Sequence, residues 1–205
     1  MASNDFQRFV DSFFGTSTEA SKDGPDEAAL SRLQGNERDE AERMLLERLG
    51  PEDSRAAIGL GLLRSKAGLA RIRELMQARE DRAAKLEAGG LIHFSLACYR
   101  IDGDPKAITN IGKVLDDSPF EAYRMDAAIA LRDSGAKEAE APLWRAVEND
   151  ESGIVRNNAA KALLMMHGKM KDPKESPKVA IRLMMKPPHI REEAVRELKE
   201  MLGVG

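Results

Sequence analysis

Cysteine is almost missing from this chain, Cys98 being the only one. That excludes an intramolecular disulfide framework and a cysteine-rich zinc site. Aromatic residues make up only 4%, so most positions go to Ala, Leu, Glu, Arg and Lys. Good helix formers in place of β-branched and aromatic residues argue against a sheet protein. No apolar run approaches the ~20 residues that a membrane-spanning helix needs. The first residues also lack the basic and apolar segments of a secretory signal. A cytoplasmic protein without membrane contact is therefore expected. The formal charge of −3 gives no overall attraction to nucleic acid or anionic lipid.

Catalytic constellations are equally sparse. The three histidines, His93, His167 and His189, are far apart, and none belongs to a His-x-x-x-His or His-Glu arrangement. His93 and Cys98 stand five residues apart, which puts them on nearly opposite sides of a helix and makes them a poor ligand pair. Cys98, between Ala97 and Tyr99, reads as a small buried hydrophobe. No Gly-x-Ser-x-Gly elbow occurs, and no strand is present to carry a phosphate loop. No catalytic residue, metal or cofactor is expected.

What the chain does contain is internal repetition. Tyr123-Arg124-Met125-Asp126-Ala127-Ala128-Ile129-Ala130-Leu131 is followed 32 positions on by Val155-Arg156-Asn157-Asn158-Ala159-Ala160-Lys161-Ala162-Leu163. Ile190-Arg191, with Ala194, Val195 and Leu198, repeats the pattern. Ser54-Arg55, with Ile58, Leu60 and Leu62, is a weaker copy, and the copy around Ile92 to Tyr99 lacks the arginine. A second template precedes each copy: Leu69, Ile72, Leu75 and Met76; Ile108, Ile111, Val114 and Leu115; Leu143, Ala146 and Val147; Ile181, Met184 and Met185; with Ala41, Met44 and Leu45 ahead of the first. Each unit therefore reads as a helix, a turn and a second helix. Gly50-Pro51, Asp102-Gly103-Asp104-Pro105, Asp117-Ser118-Pro119, Ser134-Gly135 and Pro187-Pro188 supply the punctuation. One hairpin cannot cover its own apolar stripe, so neighbours must stack, and the small Ala pairs let them approach closely. The arginine near the start of each second helix is expected to meet a carboxylate or carbonyl of the adjoining unit. The expected fold is all-α, a right-handed α-α superhelix of about five helical hairpins.

The Arg-x-x-Ala cores at Arg124, Arg156 and Arg191 and the Asp102-Gly103-Asp104-Pro105-Lys106-Ala107 turn resemble HEAT-like repeats of the bilin-lyase type. The resemblance spans roughly residues 37 to 205, within a repeat domain of 26–205, and implies an armadillo-like α-solenoid. Scaffolds, inhibitors and a few enzymes share such repeats, so the motif specifies fold better than function. HEAT-like metal hydroxylases carry His-Glu pairs that this sequence lacks. HEAT-like DNA glycosylases need an aromatic basic groove, whereas Trp144, the one tryptophan, falls on a first helix.

Ahead of the repeats, Phe6, Phe9, Val10, Phe13 and Phe14 follow helical spacing on residues 1–15, with Ser3 or Asn4 as cap and Gly15 as stop. Residues 16–25 read as a flexible linker. Two roles are open for this stripe: folding back to cap the repeats, or docking into a partner or a second copy.

The chain is accordingly expected to be a non-catalytic protein-binding module, an adaptor, scaffold or immunity-type inhibitor, whose partner is another protein. On the second helices the Ala pair and Leu face the core. Met125, Asp126 and Ile129, then Asn157, Asn158 and Lys161, then Glu192, Glu193 and Arg196 point outward on the expected concave side, a mixed patch suited to a protein partner. Two alternatives remain: a bilin-lyase-like cofactor-handling enzyme, and nucleic-acid binding through the basic stretch Lys161–Arg191, where Lys169, Lys171, Lys174 and Lys178 cluster. The Met-rich stretch of Leu164, Met165, Met166, Met170, Met184 and Met185 fits either core or an adaptable contact surface.

Overall fold

The computed structural model describes residues 2–15, 24–51, 53–80 and 88–204. Among them there is no strand, only an isolated backbone bridge between Gly50 and Asp53. The chain divides into two compact units, Met1–Asp104 and Pro105–Gly205, and the division falls inside the Asp-Gly-Asp-Pro turn.

The first unit contains α1 (Asn4–Phe14), α2 (Glu27–Arg32), α3 (Gly35–Arg48), α4 (Arg55–Leu63), α5 (Lys66–Glu80) and α6 (Ala88–Asp102). Helix α1 starts where the Ser3 hydroxyl accepts the Phe6 N–H at 3.1 Å and ends at Gly15. Its stripe turns inward. Phe9 and Phe13 are fully buried, and Phe6, Val10 and Phe14 are half-buried. Each buried phenylalanine contributes roughly 1.5–3 kcal/mol relative to exposure. Polar contacts fix the seat: the Arg32 guanidinium donates twice to Asp5, at 2.7 and 2.9 Å, and Ser3 donates to Glu37. The helix thus packs on α2 as part of the first unit's core. Residues 16–23 of the expected linker lie outside the described residues, as do residues 81–87 between α5 and α6. Gly89 and Gly90 belong to the first turn of α6.

Helices α3 with α4 and α5 with α6 form two hairpins, and α4 stacks on α6. That stacking depends on small side chains. A Cβ on Gly61 would lie 2.9 Å from the Ala97 Cα, closer than packed atoms allow.

The second unit contains α7 (Pro105–Asp117), α8 (Glu121–Ser134), a short 3-10 turn (Lys137–Ala139), α9 (Glu140–Asn149), α10 (Gly153–Met166), α11 (Lys178–Arg182) and α12 (Pro188–Leu202). Gly135, in the left-handed region at φ +61°, closes α8 where a side chain would be strained. First helices stack on first helices (α7 on α9) and second on second (α8 on α10). Ala127, Ala128, Ala159 and Ala160 are fully buried, as the paired-Ala pattern requires. With α11 and α12 the described residues hold five hairpins, and their all-α stacking agrees with the repeat pattern.

The last hairpin departs from the template. Its first helix is confined between Pro177, the residue before it, and Pro187, which disfavours helical backbone at Lys186. Helix α11 is therefore only five residues long, and the chain turns through residues 183–186. Val179, Ala180 and Leu183 are buried. Ile181, Met184 and Met185, the expected inward set, are instead between 43% and 46% exposed. The Met-rich stretch is correspondingly split, because Leu164 and Met170 are buried while Met165 and Met166 are half-buried.

Candidate functional site

The repeated arginines join hairpin to hairpin. Arg124, at the start of α8, is buried, and its guanidinium reaches forward 26 residues to Asp150 in the turn between α9 and α10. Nε meets Oδ2 at 2.9 Å, and Nη2 meets Oδ1 at 3.2 Å. Nη1 donates back to the Ser118 carbonyl at 2.9 Å. Arg156, at the same place on α10, repeats the geometry. Its Nη1 donates back six residues to the Asp150 carbonyl at 2.5 Å, and its Nε donates forward 27 residues to the Leu183 carbonyl at 2.7 Å. Arg124 and Arg156 each meet the predicted partner, a carboxylate or carbonyl of the adjoining unit, whereas the Arg191 side chain meets none among the described residues. Asp150 holds the Arg124 guanidinium above its ordinary pKa. Burial, and then the nearby Arg191, push that of Arg156 down.

With the Ala pairs and leucines inward, the remaining positions of α8 and α10 form an outward face. Asp126 is exposed, while Met125, Ile129, Asn157, Asn158 and Lys161 are half-buried. Ile129 is thus recessed among its neighbours, short of the full exposure the outward position suggests. Asn158 donates to the Ile154 carbonyl of its own helix at 2.9 Å. Asp126, Asn157 and Lys161 take part in no side-chain hydrogen bond or ion pair among the described residues. Partial loss of hydration raises the Asp126 carboxyl above the ordinary carboxylate value, with no cation to offset it. On α12, Arg196, Glu192 and Glu193 are exposed, and Glu193 is claimed by Arg182 at 3.5 Å.

Other candidates lie elsewhere. Phe9 and Phe13 of the N-terminal stripe sit inside the first unit, as described. Trp144 is on α9, a first helix. Cys98 is buried, and burial pushes its thiol up to about 11. His93 Nδ1 lies 2.8 Å from the Ser54 hydroxyl, a contact between α6 and the start of α4 that sequence spacing does not reveal. Its ring is held below its ordinary pKa by burial. Lys169, Lys171, Lys174, Lys178 and Lys186 are exposed. Beside Lys178 and Lys186 stand the exposed Ile181, Met184 and Met185, with Met184 close against Gly153 of α10. Among the described residues no group of three or more His, Cys, Asp or Glu is placed to hold a metal, and no helix is long and apolar enough to cross a membrane.

Comparison with known families matches residues 108–199 to the HEAT repeats model. This span runs from α7 to near the end of α12 and contains all three Arg-x-x-Ala cores. No curated protein and no solved structure matches the chain.

Proposed function

We propose that this chain, whose residues 108–199 are HEAT repeats, is a non-catalytic module that grips one partner protein on the face shared by α8 and α10. An adaptor, a scaffold and an immunity-type inhibitor all use such a face in the same way. The observation that supports this reading is the set of Asp126, Asn157 and Lys161, side chains without polar partners among the described residues, beside the recessed apolar Met125 and Ile129. Several charged side chains elsewhere on the second unit are engaged with one another, as in Arg145 with Asp116 and Lys199 with Glu148. Unengaged hydrogen-bonding groups around an apolar centre are the anatomy of a protein contact, with the apolar atoms giving affinity and the polar rim giving register.

The test uses the full chain immobilised against a lysate of its source organism, beside Ile129→Asp/Lys161→Glu. A single protein retained near one to one, rebinding after purification and lost at least tenfold with the double substitution, is the expected result. Equal retention by both forms would sink the assignment of the face, provided both show the same unfolding midpoint. Retention of nucleic acid, pigment or metal in place of protein would overturn the module itself.

A further inference from the structure

The arginine register leaves one position incomplete. Arg124 takes a whole carboxylate from the next turn, whereas Arg156 takes only the Leu183 carbonyl with Nε and the Asp150 and Glu151 carbonyls with Nη1. Its Nη2 has no acceptor among the described residues. Arg156 is 4% exposed and lines a cleft of about 450 Å³ between the end of α9 and the first turns of α12. Arg191, the third arginine of the series, lines the same cleft, is half-buried, and its side chain forms no hydrogen bond or ion pair among the described residues. It is near enough to Arg156 for their charges to repel.

Three of the four acidic residues around the cleft are engaged by other cations. Asp150 and Glu151 are held by Arg124, and Glu148 is held by Lys199 at 2.8 Å. Glu192 alone is exposed and unengaged. Arg124, Arg156, Arg191 and Lys199 together balance Glu148, Asp150, Glu151 and Glu192, so a ligand of one negative charge that meets the two free guanidinium edges is less opposed than a phosphate dianion. The Arg124–Asp150 pair shows which monoanion an arginine in this register accepts. Val147, Pro188 and Val195 give the cleft an apolar wall for the stem that carries the charge.

We infer that the cleft between α9 and α12 binds a carboxylate, seated between Arg156 Nη2 and Arg191. The site is separate from the α8–α10 face, so either assignment survives the failure of the other. The carboxylate has three sources: an acidic side chain of a protein segment, a chain terminus, or a small free acid.

The experiment follows the Nε–H resonances of Arg156 and Arg191 in the labelled full chain. The additions are acetyl-Ala-Glu-Ala-amide, acetyl-Ala-Ala-Ala with a free carboxylate, sodium acetate, inorganic phosphate, and acetyl-Ala-Gln-Ala-amide as the neutral control. Saturable movement of both resonances with at least one carboxylate, and none with the neutral control, supports the site, and the tightest binder names the source. Arg191→Gln should then weaken binding about tenfold, the typical effect of removing one charged hydrogen-bond donor. Glu192→Gln should tighten it, while Lys174→Gln leaves it unchanged. Movement with phosphate alone, an unresponsive Arg156, or full binding by Arg191→Gln would each overturn the inference. Arg191 and Glu192 stand outside the core, so neither variant tests folding in place of binding.

Discussion

The Arg124 guanidinium grips the Asp150 carboxylate side-on through two hydrogen bonds, at 2.9 and 3.2 Å, across the junction between one helical hairpin and the next. Both side chains are less than 10% exposed. The carboxylate organises its turn as well, since Oδ1 accepts the Ser152 N–H at 2.8 Å, and Ser152 in turn caps α10. One ion pair therefore fixes the stacking of two hairpins and the start of the following helix.

Asp150→Asn should destabilise the chain by up to about 3–5 kcal/mol, because it removes the buried counter-ion of Arg124 and leaves only the exposed Glu151 carboxylate. The double variant Arg124→Met/Asp150→Leu should recover part of that loss. Denaturant midpoints of the single and double variants check both statements. An additive double variant would mean that the two residues act independently.

Gly61→Ala should cost roughly 1–3 kcal/mol, although alanine is ordinarily the better helix former. The added methyl would press on the Ala97 backbone, so α4 and α6 must separate. A neutral or stabilising outcome in thermal melts would show that the α4–α6 approach has slack. Gly61→Ala/Ala97→Gly should not rescue the fold fully, because the closest atom is the Cα of residue 97.

His93 predicts an acid-side loss of stability. Burial lowers its folded-state pKa below the ordinary 6.5, so the unfolded chain binds more protons between those two values, and stability rises with pH across that window. Its contribution is complete above about pH 6.5 and declines as pH falls towards the folded-state pKa. Unfolding midpoints from pH 7.5 to 5 should show this decline, and His93→Gln should flatten it. An unchanged slope in the variant would assign the decline to other groups.

Cys98 should be nearly inert in the folded chain. A thiol raised to about 11 has a thiolate population roughly a hundredfold below ordinary at neutral pH, before burial restricts access. Thiol-reagent kinetics at pH 8 should be slow in buffer and fast in denaturant. Rapid labelling of the folded chain would reveal local opening of α6.

Much of the second unit could be read from residues alone, for a definite reason. Ala127, Ala128, Ala159 and Ala160 are small where helices touch. Arg124 and Arg156 recur at a place from which a long donor reaches the next turn. Both signals are local and periodic. The N-terminal cap and stop at Ser3 and Gly15 were legible for the same reason. The candidate face was legible only in direction, since helical spacing gives the outward side of Ile129 but not how far its neighbours enclose it.

The remainder depended on contacts between residues distant in sequence. Phe9 and Phe13 form an amphipathic stripe whether they cap the chain's own repeats or meet another molecule. Only packing against α2, with Asp5 held by Arg32, seats the stripe in the first unit. The exposure of Ile181, Met184 and Met185 follows from how two prolines shorten α11, and apolar periodicity does not record that. The meeting of Arg156 and Arg191 in one cleft likewise arises from the placement of α12 after that shortened helix. Sequence by itself determined the repeat helices, their pairing and, α11 apart, the side each presents inward, because these follow from short-range periodicity and residue size. Tertiary structure decided which outward groups find partners and which stay unmatched, because partnership depends on distances the order of residues does not carry.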